Sequence, residues 1–206
     1  MAERGRGVRA PDSAWPGKNT GESKKSRARA RQAAEAAAKS SDVQEHTFSV
    51  LVDNEAGVLH RVVGLFSGRG YNIESLTVSE VNEDEHLSKI TVVTSGTPQI
   101  IDQIRAQLDR LVPVHRVANL TTDGPSVQRE MGLIKVVGSG EARVEALRIA
   151  DIFRAQVVDS TNRSFVFEIT GSSDKLDAFI DLMKPLGLAD VSRTGIVAIA
   201  RGDGAM

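Results

Sequence analysis

The residues of this chain whose types and spacing suggest ligand chemistry are two asparagines and a glycine turn. The run Asp53-Asn54-Glu55-Ala56-Gly57-Val58-Leu59 ends an alternating apolar stretch and opens a helical one. A helix N-terminus presents unpaired backbone N–H groups and partial positive charge, which suits a carboxylate. Gly57 lets the backbone approach a ligand closely. Asn54 brings an amide with both a donor and an acceptor, and Val58 and Leu59 offer apolar walls. Together they fit a small zwitterion with a short aliphatic side chain. A second amide, Asn72, stands beside Ile73 where the first helix hands over to the next strand. The spacing alone favours a plainer reading, with Asn54 as a helix cap or turn residue and Asn72 as a turn before a strand.

No convergent catalytic set accompanies them. The chain has no Cys, which excludes disulfides, thiolate nucleophiles and Cys-ligated zinc. Its four histidines, at 46, 60, 86 and 115, include no pair at helical i, i+4 spacing. Glu83-Asp84-Glu85 reads as the solvated tip of a hairpin rather than a metal site. Gly138-Ser139-Gly140 lacks the third glycine of a dinucleotide fingerprint, because Arg143 occupies that position. It reads as a tight strand-to-helix turn.

The elements that must position Asn54 and Asn72 follow from periodicity. Residues 46–53 alternate, with Phe48, Val50 and Val52 on one face, as a strand does. Helical spacing of Val58, Leu59, Val62, Val63, Leu65 and Phe66 follows, and Arg69-Gly70 ends it. Residues 71–81 and 87–94 read as strands around a hairpin at 82–86. Thr97-Pro98 opens a second helix, and 114–120 is a fourth strand. After a breaker at 121–127 the order repeats: strand 129–137, helix 140–153, strands 155–159 and 164–170, helix 172–183 with Ser172 as its N-cap, and strand-like runs over 188–200. Two βαββαβ units in series predict an α+β protein of two tandem ferredoxin-like domains, at 45–122 and 128–203. The sheet face away from the helices is not fully polar in the first unit, so association between sheets, hence an oligomer, is expected.

Apolar residues are 40% of the chain but aromatics only 4%, so the core must be aliphatic. No apolar run reaches the roughly 18 residues of a membrane helix. Residues 1–40 hold ten Lys/Arg against four Asp/Glu, whereas the remainder is acidic, 16 against 23. A mildly acidic body argues against nucleic acid as the main partner. Residues 1–44 read as a basic, disordered tail, although 24–39 has the propensity to form a helix.

The residues 54–78, NEAGVLHRVVGLFSGRGYNIESLTV, resemble the signature of the ACT domain in acetolactate synthase regulatory (small) subunits. Leu-Asp-Arg-Leu-Val-Pro-Val at 108–114 extends the likeness. So do Arg129-Glu130-Met131, Ile152-Phe153-Arg154-Ala155, the run from Gly171 to Phe179, and Arg193-Thr194-Gly195. The resemblance implies a non-catalytic chain that raises the activity of a separate large subunit and confers valine feedback inhibition on it. That step is the first common one of valine, isoleucine and leucine biosynthesis. It implies thiamine diphosphate, magnesium and FAD in the large subunit and no cofactor or metal in this chain. It implies a homodimer through the ACT domains. Valine would be held by Asn54, Gly57, Val58 and Leu59 of one protomer and closed in by Asn72 and Ile73 of the other. A bacterial, cytoplasmic protein is expected, with neither nucleic acid nor membrane as partner. The basic tail departs from compact bacterial members. A stand-alone enzyme, a nucleic-acid-binding regulator and an ACT-type sensor of another enzyme remain the rival classes.

Overall fold

The computed structural model describes residues 43–82 and 84–204. The tail read at 1–44, with its candidate helix at 24–39, lies outside the described residues except at its end, where Gln44 already belongs to a strand. Strand β1 (Gln44–Asp53) buries Phe48, Val50 and Val52 on one face. Helix α1 (Val58–Ser67) turns Val58, Val62, Leu65 and Phe66 onto that face, at the spacing of an amphipathic helix. Strands β2 (Ser75–Asn82) and β3 (Leu87–Gly96) pair antiparallel, and β3 pairs with β1. Helix α2 (Pro98–Leu108) starts with Pro98, whose missing N–H costs nothing there, and buries Ile101, Ile104 and Leu108. Strand β4 (Val114–Asn119) completes a sheet of order β2-β3-β1-β4.

The strand expected over 71–81 begins only at Ser75. The Tyr71 N–H is spent on the Phe66 carbonyl at 3.0 Å, closing α1, and its ring meets the Phe66 ring edge-on at 6.3 Å. Asn72 is held through its carbonyl by the Thr94 hydroxyl at 2.6 Å. Residues 71–74 are thus a tethered turn between helix and strand.

The second unit repeats the order with β5 (Ser126–Val137), α3 (Glu141–Phe153), β6 (Gln156–Ser160), β7 (Ser164–Gly171), α4 (Ser173–Met183) and β8 (Leu188–Arg193), followed by β9 (Val197–Ala200). Its strand order is β6-β7-β5-β8. The Ser172 hydroxyl accepts the Lys175 N–H and caps α4, as its position in the sequence suggests. Phe165, Phe167 and Phe179 centre a core separate from that of the first unit.

The run 188–200 is two strands with different jobs. β8 pairs with the second half of β5, whereas β9 pairs with its first four residues, Ser126 to Arg129. Ile196 and Ala198 thereby reach the back of the first sheet and join Val93 and Leu120 in a small apolar cluster. Thr47, Ser49 and Thr91 are buried there as well. The back of the first sheet, expected to seek another molecule, is thus covered in part by the chain's own C-terminal strand.

Candidate functional site

The turn from β1 into α1 is built by backbone bonds to its neighbours. The Asp53 N–H donates to the Pro113 carbonyl at 2.9 Å and the Asn54 N–H to the His86 carbonyl at 2.6 Å. Asp53 also meets His115 at 2.6 Å. Gly57 takes the N-cap position at φ 89°, a left-handed conformation that glycine adopts without strain. No side chain caps α1 and no acidic residue stands in its first turn. The plainer reading of Asn54 as a helix cap is therefore not realised: its side chain is exposed beside an uncapped, partly positive helix end.

Not every expected residue of this site faces it. Val58 is 4% exposed and belongs to the core, so it offers a ligand only its backbone and not the apolar wall expected of it. Leu59, at 41% exposure, is the apolar side chain available at this turn. Asn72 is exposed and Ile73 half-buried against the core, but both lie at the other end of the sheet. Asp53, next to Asn54, pairs with Leu87 at one end of β3, whereas Thr94, which holds Asn72, pairs with His46 near the other. Seven residues of strand separate those positions, about 23 Å at the usual rise. One chain therefore presents the two halves but does not bring them together.

The histidines do not converge. His46 is buried with its Nδ1 3.1 Å from the Asn119 amide nitrogen, and His60 and His86 are exposed. No group of three or more His, Cys, Asp or Glu among the described residues is arranged to hold a metal ion.

A second constellation was not singled out as a functional group by the sequence. Glu130 on β5, 5% exposed, is gripped by Arg193 at the end of β8 through two bonds of 2.7 and 2.6 Å. Ser173 donates to the same carboxylate at 3.1 Å, and Asp177 takes another Arg193 nitrogen at 2.6 Å. The hydrogen bonds from Arg193 hold the Glu130 carboxyl below its ordinary range, against the opposing effect of burial. Glu130 and Arg193 form one wall of a cleft of about 470 Å³ between the two sheets, and Glu45 and Glu74 stand on the other. Burial, a hydrogen bond to Glu74 and the negative charges of Glu74 and Asp174 push the Glu45 carboxyl up. The buried carboxylate already has its cation, so this cluster locks a strand end in place and leaves no unpaired group aimed at a ligand.

Comparison with known proteins agrees with this two-part architecture. Residues 48–116 match the family described as AHAS small subunit-like ACT domain, and residues 129–202 match the family described as Small subunit of acetolactate synthase. The chain is 45% identical over 159 residues to the probable acetolactate synthase small subunit of Archaeoglobus fulgidus, covering 77% of this chain and 98% of that one. It is 45% identical over 156 residues to the acetolactate synthase isozyme 3 small subunit of Escherichia coli, covering 75% and 94%. The crystal structure of the small subunit from Thermotoga maritima superposes with a TM-score of 0.69 at 37% identity, over 78% of this chain and 99% of that one.

Proposed function

This chain belongs to the acetolactate synthase small-subunit family, and on that premise we propose that it is the valine sensor of its enzyme, activating the catalytic subunit and withdrawing that activation as valine rises. A small subunit of this enzyme implies a large, catalytic one as its partner. In this reading the large subunit holds thiamine diphosphate, magnesium and FAD, and this chain supplies regulation alone. The setting is the bacterial cytoplasm; no helix among the described residues is long and apolar enough to cross a membrane.

The observation that carries the sensor reading is the separation of the two half-sites at opposite ends of the first sheet. β2 is an edge strand. Its N-terminal end follows Asn72 and Ile73, and its C-terminal end lies at the sheet end where Asn54 stands. Two copies meeting antiparallel along β2 would set the Asn54 end of each against the Asn72 end of the other. A ligand seated there would place its carboxylate on the uncapped N-terminus of α1 and its ammonium between the two amides. Leu59 and Ile73 would then flank a short branched side chain. Valine has that shape and charge. It acts by binding the inhibited arrangement more tightly than the activating one, a coupling typically of about 1–3 kcal/mol.

The test is acetolactate formation by the large subunit of the same source with this chain added, across a valine titration. Stimulation that collapses as valine rises is expected. Stimulation that ignores valine would remove the sensor role, and no stimulation at all would overturn the whole reading.

A further inference from the structure

The two units touch where the chain leaves β8. The Thr194 N–H donates to the Met131 carbonyl at 3.0 Å and the Thr194 hydroxyl accepts the Met131 N–H at 3.1 Å, so this exit is fixed to the second unit. Ile196, two residues on, is held by the first unit. The Ile196 N–H donates to the Ser75 hydroxyl at 2.9 Å, and the Thr77 hydroxyl donates to the Ile196 carbonyl at 3.1 Å. Gly195 between them sits at φ +82°, and a Cβ there would lie 2.6 Å from the Ser75 hydroxyl oxygen and 3.0 Å from that of Thr77. Both the backbone angle and the available space call for glycine.

Two features make this clamp more than a seam. Ser75 and Thr77 are the first and third residues of β2, which begins one residue after Asn72 and Ile73. A displacement of that turn reaches both hydroxyls within the first three strand residues. The contact is also thin: its apolar cluster has four buried residues, against thirteen in the core of the first unit and ten in that of the second. It contains a buried, unpartnered Ser49 hydroxyl, so it is not optimised as a permanent interface. Directional hydrogen bonds across a weakly packed boundary suit an element with two arrangements of similar energy.

We propose that the clamp of the Ser75 and Thr77 hydroxyls on the backbone of Thr194, Gly195 and Ile196 is the joint that carries the effector signal from β2 to the second unit. It rests on the sensor reading above and adds its route. A ligand against Asn72 and Ile73 shifts the start of β2, the hydroxyls carry that shift to residues 194–196, and the Glu130–Arg193 lock transmits it as a rigid movement of β8 and β5.

The test uses the full chain with its large subunit and the double substitution Ser75→Ala/Thr77→Val, which removes both hydroxyls with little change of volume. Gly195→Ala attacks the same joint from the other side. Calorimetry should give valine affinities within about threefold of wild type, with stimulation in the absence of valine retained, while the share of that stimulation removed at saturating valine falls to about half or less. Variants that bind valine and are inhibited like wild type overturn the clamp and leave the sensor standing. Loss of stimulation and inhibition together in both variants makes the contact purely structural and also overturns it. A wild-type chain that binds no valine removes the sensor reading, and with it the signal the joint is proposed to carry.

Discussion

Replacing Gly57 by alanine and, separately, by aspartate divides strain from charge at the proposed effector site. Gly57 has φ +89° and a Cβ added there meets nothing within 4 Å, so neither substitution places its Cβ in a clash. Each carries the cost of an L-residue in the left-handed region, about 1–2 kcal/mol. Only aspartate adds a carboxylate at the N-terminus of α1. A valine carboxylate held about 5 Å away would be repelled by about 3 kcal/mol at an effective dielectric constant near 20. Exposure of the turn and salt reduce this to about 2 kcal/mol, or about thirtyfold in affinity. Urea denaturation should find Gly57→Ala the more destabilised of the two, because aspartate tolerates the left-handed region better and its charge suits a helix N-terminus. Calorimetry should find valine binding weakened about thirtyfold more in Gly57→Asp than in Gly57→Ala, and the reconstituted enzyme should keep its stimulation while losing valine inhibition. Equal valine affinities in the two variants would refute the placement of the ligand carboxylate on this helix end.

The two carboxyls of the inter-sheet cleft should respond to pH with opposite signs. Glu130→Gln leaves Arg193 without its main partner and should cost about 3 kcal/mol in denaturant unfolding at neutral pH. Because the folded-state pKa of Glu130 is lowered, its contribution is present above the ordinary carboxylate range and lost as pH falls through the folded value. The difference between variant and wild type should therefore shrink in acid. Glu45 has a raised pKa, so its ionised form disfavours the fold above that value and the penalty disappears as pH falls through it. Glu45→Gln should raise the melting temperature at neutral pH, with a gain that fades on acidification. A gain that stays constant with pH would mean Glu45 acts through packing rather than charge.

Both helix–sheet units were legible because their signals are local. Val58, Val62, Leu65 and Phe66 recur at helical spacing, and Phe48, Val50 and Val52 alternate, so each element declares its buried face within one stretch of chain. The failures arise where a partner distant in sequence decides. Tyr71 and Ile73 look like strand residues, but the Tyr71 N–H closes α1 and the Asn72 carbonyl is held by Thr94, which delays β2 to Ser75. The Val58 side chain was expected to wall the ligand and lies in the core, because the turn at Gly57 starts the helix with that side chain facing inward, and only its backbone is left for a ligand. Glu130 and Arg193 are 63 positions apart, and neither spacing nor composition announces a pair at that distance. The seat of Ile196 between Ser75 and Thr77 depends on the fold of both units at once.

The placement of the half-sites also explains why feedback would be built this way. Amides at sheet positions about 23 Å apart along the strand cannot both contact a molecule the size of valine, so a single chain offers only half the possible contacts. In the proposed pair, the ligand's binding energy depends on how two copies sit against each other. A ligand shifts an equilibrium only by its difference in affinity between the states. A site split across the edge of β2 concentrates that difference in the relative placement of the copies, because sliding one edge removes half the contacts. A pocket inside one unit would bind valine equally in both arrangements and report nothing. The first unit's packed core can then stay rigid while its boundary moves. Of that boundary, the thin hydroxyl-lined contact with residues 194–196 is the part proposed to carry the movement to the second unit.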